Sequence, residues 1–180
     1  AMTELEKQGL PDEQLKQAKQ LAGDLMDVLQ KTLEGGTMDA AASMKLAPKA
    51  MTFVAGARIA QGAKLESAVK QLVEQVANDE PEAAKLIKLN AEEHGGVRFH
   101  VVSVPLALDA QEKLGPLVGD TFDIVIGIGE TSLYLAAGRD ASQTLKKAID
   151  GSKAGGDKSL PPVQFSVAGG PIARFVAAVG

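Results

Sequence analysis

The sequence predicts an α+β domain with a mainly antiparallel sheet, built from β-hairpins, and helices packed on one face of that sheet. Three observations support this fold. Short apolar runs occur in pairs around tight breaks, amphipathic stretches of helical period separate the pairs, and 45% of the 180 residues are hydrophobic. Because helices alternate with hairpins rather than with single strands, neighbouring strands are expected to be antiparallel.

An amphipathic helix is predicted first, within the N-terminal segment 1–36. It begins at Pro11, which suits a first helical turn, and ends at the helix-stopping pair Gly35 and Gly36. Its apolar stripe consists of Ala18, Leu21, Ala22, Leu25, Val28, Leu29 and Leu33. Because such a stripe needs a partner surface, the helix is expected either to pack on the domain that follows or to act as a connector.

Residues 37–180 are expected to form the α+β domain, with predicted halves 37–105 and 118–180. Residues 79–82 are expected to be a loop, and residues 151–162, rich in glycine, serine and proline, a linker. The apolar C-terminus is expected to be a short helix or a strand. The predicted strands are 39–46, 51–57, 85–92, 97–104, 122–128, 131–137 and 163–168, and the predicted helices after the first are 63–77, 109–118 and 140–150.

A shift of about eighty residues aligns the first hairpin and its helix with the third. Phe53 then falls on Leu133, and the helical run 65–69 falls on 145–149, with the strand faces in phase. This pattern predicts an internal duplication of a ββα unit. The alternative is a chance likeness between alanine-rich helices.

The segment Gly-Ile-Gly-Glu-Thr-Ser, residues 127–132, follows an apolar run and has the glycine spacing of a phosphate-binding loop. A dinucleotide fingerprint would need a third glycine where Ser132 stands, and a Walker-type loop would need a lysine. The run that follows has strand character, so no helix N-terminus would gather amides around an anion. We therefore predict a hairpin with a two-residue turn at Gly129 and Glu130, which aligns the apolar residues of both strands on one face.

Both histidines, His94 and His100, lie in the second predicted hairpin. A turn at Gly95 and Gly96 would pair His94 with Val97 and would place the two imidazoles on opposite faces, since strand side chains alternate. The sequence therefore predicts no metal site, and no cofactor. His100 is expected to be a hydrogen-bonded residue at the margin of the core.

The same register predicts a surface for protein contact. It pairs Glu93 with Arg98 as a cross-strand ion pair, and it places Phe99 and Val101 on the face opposite Val102. If Val102 faces the helices, Phe99 and Val101 lie on an outer surface that contacts a partner.

No catalytic residue is predicted. The chain has no cysteine, which excludes disulfides, thiolate nucleophiles and cysteine-ligated metals. Asp109 and Asp140 each precede Glu or Gln by three residues at a predicted helix start, an arrangement typical of a capping box. There is no Gly-x-Ser-x-Gly motif. The alternative is an enzyme whose acid, histidine and hydroxyl are gathered by the tertiary fold.

Composition excludes several kinds of partner. The net charge is −4, and the basic residues form no stripe, so nucleic-acid binding is not expected. Aromatic residues make up 3% of the chain, too few for platforms of stacked rings. No apolar run is long enough to span a bilayer, and the first residues lack the basic and apolar regions of a signal peptide.

The segment 123–150, DIVIGIGETSLYLAAGRDASQTLKKAID, is similar to segments of large uncharacterised exported bacterial proteins, in which hairpin-plus-helix units recur. The resemblance covers about a sixth of the chain and concerns architecture. It implies that this chain is one globular piece of a larger, exported protein, and it transfers no catalytic residue.

These observations predict a non-enzymatic binding or structural module, exported rather than cytoplasmic, whose partner is another protein or a second copy of itself. The alternative is a carrier or chaperone for a small hydrophobic ligand between sheet and helices, where small side chains leave volume unfilled.

Overall fold

The structure, a computed structural model, describes residues 12–36, 39–47, 50–155 and 166–179. Within these residues it contains six strands and six helices, which confirms the predicted α+β class. The strands are β1 (Ala40–Ala47), β2 (Ala50–Arg58), β3 (Ile87–His94), β4 (Val97–Pro105), β5 (Thr121–Ile128) and β6 (Ser132–Gly138). The helices are α1 (Asp12–Glu34), α2 (Gly62–Asp79), α3 (Pro81–Ala84), α4 (Leu108–Val118), α5 (Ala141–Gly155) and α6 (Gly169–Val179).

All six strands belong to one sheet with the order β1-β2-β6-β5-β4-β3. Every neighbouring pair is antiparallel, as predicted, and the three hairpins are the predicted ones. The first hairpin joins the third through β2 and β6, and the third joins the second through β5 and β4. Strands β1 and β3 are therefore the two edges of the sheet.

Helix α1 lies against α2. Val28 of α1 is buried in a cluster with Leu65 of α2, and Lys64 Nζ lies 3.1 Å from Asp24 Oδ1 and 2.7 Å from Asp27 Oδ2. Other members of the predicted stripe are less covered: Leu21 is partly buried, and Ala22, Leu25, Leu29 and Leu33 are exposed.

The hairpin of β3 and β4 has the predicted register next to its turn. His94 pairs with Val97 and Glu93 with Arg98, and Gly95 and Gly96 both have positive φ, as a tight turn of this kind requires. Further along, the register shifts between Lys88 and Glu92, where β3 contains a bulge.

The hairpin of β5 and β6 differs from its prediction by two residues of register. Ile128 pairs with Leu133 and Ile126 with Leu135, so four residues, 129–132, lie between the last paired residues, where the prediction had two. The shift is an even number of residues, so the apolar side chains of both strands still share one face.

Helices cover both faces of the sheet, so the predicted packing on one face is corrected. The first cluster, the α5 cluster, consists of Val97, Phe99, Val125, Ala136, Ala141, Leu145 and Ile149. The second, the α2 cluster, lies on the opposite face and consists of Val28, Ile59, Leu65 and Ile128. The central strands β4 and β5 carry apolar residues on both sides, a pattern typical of strands that are buried on both faces.

The predicted outer surface at Phe99 and Val101 is wrong. Phe99 is 0% exposed and packs in the α5 cluster, and Val101 packs against the same cluster while partly buried. The prediction assumed that only the face of Val102 meets helices, whereas α5 covers the face of Phe99.

Four local predictions also change. Residues 81–84 form a helical turn instead of a loop, and residues 151–155 belong to α5. Residues 156–165, predicted as linker and strand, lie outside the described residues, while 166–168, predicted as part of the same strand, have no regular structure. The C-terminus is helix α6, one of the two forms predicted for it. Helix α4 has Ala107 as its N-cap, so Asp109 lies inside the helix rather than at the capping position predicted for it.

The pairing of β2 with β6 bears on the predicted duplication. Ala55 lies opposite Leu135, so two residues separated by the proposed offset meet between the strands. Inside the hairpins the two units differ, since Met44 pairs with Phe53 but Ile124 pairs with Ala137. The duplication stays a prediction.

Replacing Phe99 by alanine is expected to lower the free energy of unfolding by about 3–5 kcal/mol, because the ring is fully buried. The control Leu108→Ala removes a side chain that is 85% exposed and should change it by less than about 0.5 kcal/mol. Chemical denaturation measures both, and equal small effects would contradict the core position of Phe99.

Candidate ligand-binding cleft

A cleft of about 490 Å³ lies between the edge hairpin of β1 and β2 and helix α5. Its base is formed by one face of three neighbouring strands, and α5 supplies Ala148 and Ser152 to one side. The residues of that face are Ala41 and Ser43 of β1, Val54 and Gly56 of β2, and Ser132 and Tyr134 of β6. Side chains this small leave the volume between sheet and helix unfilled.

Gly56 and Tyr134 shape the inner side of the cleft together. They are direct partners across β2 and β6, and a Cβ at position 56 would lie 2.8 Å from Cδ1 of the tyrosine ring. Glycine therefore allows the ring to lie against the strand. Tyr134 also packs against the α5 cluster, which fixes the ring in place.

Asp39 and Arg58 stand at one end of the cleft. The Arg58 amide donates a hydrogen bond to the Asp39 carbonyl at 2.8 Å, and both residues are exposed and line the cleft. Among the described residues, no ion pair involves the Arg58 guanidinium. This end of the cleft therefore offers a cation to a bound molecule.

A second hollow, of about 450 Å³, lies against the same three strands and is more open. It is lined by alanine, glycine and leucine alone, including Ala40, Leu133 and Leu135. Because it has no charged or hydroxyl side chain to orient a ligand, the cleft beside α5 is the stronger candidate.

The segment 127–132, considered above as a phosphate loop, is the predicted hairpin connection. Gly129 N donates to Ser132 O at 2.8 Å, while the carbonyls of Glu130 and Thr131 accept from Gly62 N at 2.9 Å and Ile59 N at 3.1 Å. The loop thus presents oxygens to the start of α2. Carbonyl oxygens repel an anion, so this loop is a helix cap and not an anion site.

The two histidines lie on opposite faces of the sheet, as the alternation of side chains predicted. His94 Nε2 lies 2.7 Å from Asp150 Oδ1 of α5. The Nδ1 of His100 accepts a hydrogen bond from Asn90 N at 3.3 Å, as predicted, but the ring is only 1% exposed and lies inside the core rather than at its margin. The bulge in β3 and the positive φ of Asn90 bring this amide to the ring.

Sequence reasoning missed a cluster of charges around a buried carboxylate near His100. Glu66 of α2 is buried, and its carboxylate contacts the Arg98 guanidinium. Lys70 Nζ lies 2.8 Å from Glu66 Oε1, though without the geometry of a hydrogen bond. Arg98 therefore binds α2 rather than Glu93, and the predicted cross-strand ion pair is wrong. The sequence around Glu66 did not indicate that this side chain is buried and paired, because its partner Arg98 lies on β4, far away in the chain.

Burial lowers the pKa of His100 below its ordinary value of 6.5. The Glu66 carboxylate acts in the opposite direction, and Lys70 and Arg98 add to the lowering. Because Nδ1 accepts a hydrogen bond, the neutral ring carries its proton on Nε2, which has no partner among the described atoms. The buried ring is therefore neutral at pH 7.

Within the described ranges, no group of three or more histidine, aspartate or glutamate side chains could hold a metal ion. No helix of the same ranges is long and apolar enough to cross a membrane. Comparison of the chain with protein families, with curated proteins and with solved structures gave no match. The resemblance to exported bacterial proteins therefore stays a prediction.

Replacing Gly62 by alanine is expected to destabilise the fold by about 2–3 kcal/mol, because the new Cβ would lie 1.8 Å from Gly129 O. Gly23→Ala is the matched control: it lies within α1, with nothing near its Cβ, and should stabilise the fold by up to about 1 kcal/mol. Thermal unfolding of both variants measures the difference, and a harmless Gly62→Ala would refute the capped start of α2.

The free energy of unfolding should fall as the pH falls below about 6.5, because unfolded His100 binds a proton more readily than the buried ring does. The slope should not exceed about 1.4 kcal/mol per pH unit. Urea titrations over this range should show that His100→Gln removes the slope found for the unmodified chain. An unchanged slope in His100→Gln would disprove the assignment.

Proposed function

We propose that the chain is a non-enzymatic binding module that holds a small amphipathic molecule in the cleft beside α5. The apolar body of the ligand lies between β2 and α5, and an acidic group of the ligand binds Arg58. The observation that carries this proposal is a cleft with small apolar walls and one cation at its end.

The size and surroundings of the cleft support a small ligand. Its volume of about 490 Å³ falls in the range of about 300–1,000 Å³ that is usual for small-molecule sites. Ala41, Val54 and Ala148 supply apolar contact, while the hydroxyls of Ser43, Ser132 and Ser152 are spaced around it. Such a surface suits a ligand that is mostly apolar and carries a few polar atoms.

Arg58 supports an acidic group on that ligand. A guanidinium can bind a carboxylate through two parallel hydrogen bonds, and Arg58 is exposed at the end of the cleft. Asp39, on the neighbouring strand, also lines this end. It would repel a second acidic group, so we expect one acid per ligand.

The chemistry of the lining favours binding over catalysis. The two histidines contact Asp150 and Asn90 rather than the cleft, and the buried Glu66 is held by Arg98 on the other face of the sheet. The hydroxyls that line the cleft, including that of Ser43, therefore stand without an imidazole beside them.

Binding of anilinonaphthalene sulfonate, an amphipathic anion that fluoresces in apolar sites, tests the cleft. The fluorescence of the probe is measured as it is added to the unmodified chain and to two variants. Ala148→Phe fills the space beside α5 and should abolish binding. Ala77→Phe adds the same ring at an exposed position of α2, away from the cleft, and should leave binding unchanged. Equal binding by both variants would place the probe elsewhere and overturn the proposal.

The charge of the cleft is tested with the same probe. Arg58→Ala should weaken binding about tenfold or more, because a hydrogen bond to a charged group contributes about 1.5–3 kcal/mol. Lys88→Ala removes a cation from the opposite edge of the sheet and should have no effect. Native mass spectrometry of protein purified under mild conditions would then identify the natural ligand by its mass.

A further inference from the structure

The outer edge of β1 is open. Among the described residues, β1 is the first strand of the sheet and pairs with β2 alone. Helix α6 contacts β1, yet with α6 in place every residue from 40 to 45 is exposed. An edge of this kind leaves amides and carbonyls available to another strand.

One hydrogen bond identifies which groups face outward. The Arg58 amide donates to the Asp39 carbonyl, so these two residues form a hydrogen-bonded pair of the ladder between β1 and β2. Because such pairs alternate along an antiparallel ladder, Ala41 and Ser43 also bond to β2. The amides and carbonyls of Ala40, Ala42 and Met44 therefore point away from the sheet.

The two edges of the sheet differ in protection. β3 carries Lys88, Glu92 and Glu93, and its register is interrupted by a bulge; charges and bulges both hinder pairing with a further strand. β1 is regular along its whole pairing with β2, and Lys45 is its one charged residue. Because β3 is protected against pairing with a further strand and β1 is not, we infer that β1 pairs with another strand.

We propose that β1 pairs antiparallel with β1 of a second copy of this chain, about a two-fold axis at Ala42. In this register the outward groups of Ala42 bond to the partner's Ala42, and those of Ala40 bond to the partner's Met44. Asp39 then lies directly opposite the partner's Lys45, in a pair without backbone hydrogen bonds, where side chains are closest.

Charge complementarity selects this occupant and this register. By the two-fold symmetry, Asp39 of each copy lies opposite Lys45 of the other copy. The dimer therefore contains two such pairs, each made of one negative and one positive side chain. A shift by two residues, centred on Met44, would separate Asp39 from Lys45 and lose both pairs. The small side chains of Ala40 to Ala42 allow close approach of the two strands.

The dimer joins the two sheets into one and places both clefts on the same side. Rotation about a two-fold axis perpendicular to the sheet leaves each face of the sheet on its original side. The α5 helices of both copies therefore cover the same face of the joined sheet. The inference concerns the edge of the sheet and stands whether or not the cleft binds a ligand.

Sedimentation equilibrium and light scattering of the full chain test the dimer. The unmodified chain should have twice its mass of 18.6 kDa at micromolar concentration. Ala42→Pro removes an outward amide without removing a hydrogen bond to β2, so it should yield a monomer with an unchanged circular dichroism spectrum. An unmodified chain that stays monomeric, or a dimer that survives Ala42→Pro, would overturn the proposal.

A charge exchange tests the register. Asp39→Lys and Lys45→Asp should each weaken the dimer about tenfold or more, because each places like charges opposite one another twice. The double variant with both changes should restore it. Lys88→Asp makes the same change at the other edge and should leave the dimer intact. Failure of the double variant to restore association would refute the pairing of Asp39 with Lys45.

Discussion

The antiparallel pairing of β2 with β6 is the contact on which the rest of the structure depends. Among the described residues, it is the one strand pairing that joins the first hairpin to the others, and it runs from Thr52 and Gly138 to Arg58 and Ser132. Through it, α5 reaches across three strands, the cleft forms above β1 and β2, and β1 becomes the edge of the sheet. Without this pairing the first hairpin would have no sheet to extend, and a lone hairpin is marginally stable in water.

The sheet is stabilised from both sides, but by different chemistry. On the side of α5 the core contacts are apolar, with Phe99, Leu145 and Ile149 fully buried. On the side of α2 the apolar cluster continues into the charge cluster of Glu66, Arg98 and His100. A buried carboxylate is costly unless it is paired, so the guanidinium of Arg98 ties α2 to β4 in one position. The same loop that resembled a phosphate site adds a second tie, through its carbonyls to the start of α2.

The sequence correctly predicted those features that are determined by residues close to one another in the chain. Turn glycines located the hairpin of His94 and Val97, period-two alternation placed the two histidines on opposite faces, and period-3.6 stripes located α2 and α5. It did not predict what depends on distant partners. The side of Phe99 was assigned wrongly because apolar residues on both faces of β4 leave the choice of face open, and the bulge at Asn90 depends on the ring of His100. The cleft could be expected only as a space between sheet and helices, since its residues come from β1, β2, β6 and α5.

A disulfide test of the junction between β2 and β6 addresses the central claim most directly, because the chain contains no cysteine of its own. Ala55 and Leu135 are direct partners, and antiparallel partners lie about 4.5–5.5 Å apart between Cα atoms, within the range a disulfide accepts. After mild oxidation of the folded protein, Ala55→Cys with Leu135→Cys should lose both free thiols within one chain. Ala55→Cys with Ala137→Cys, displaced by two residues on the same face, should keep them. Equal crosslinking of both pairs, or of neither, would contradict the register from which the cleft and the open edge follow.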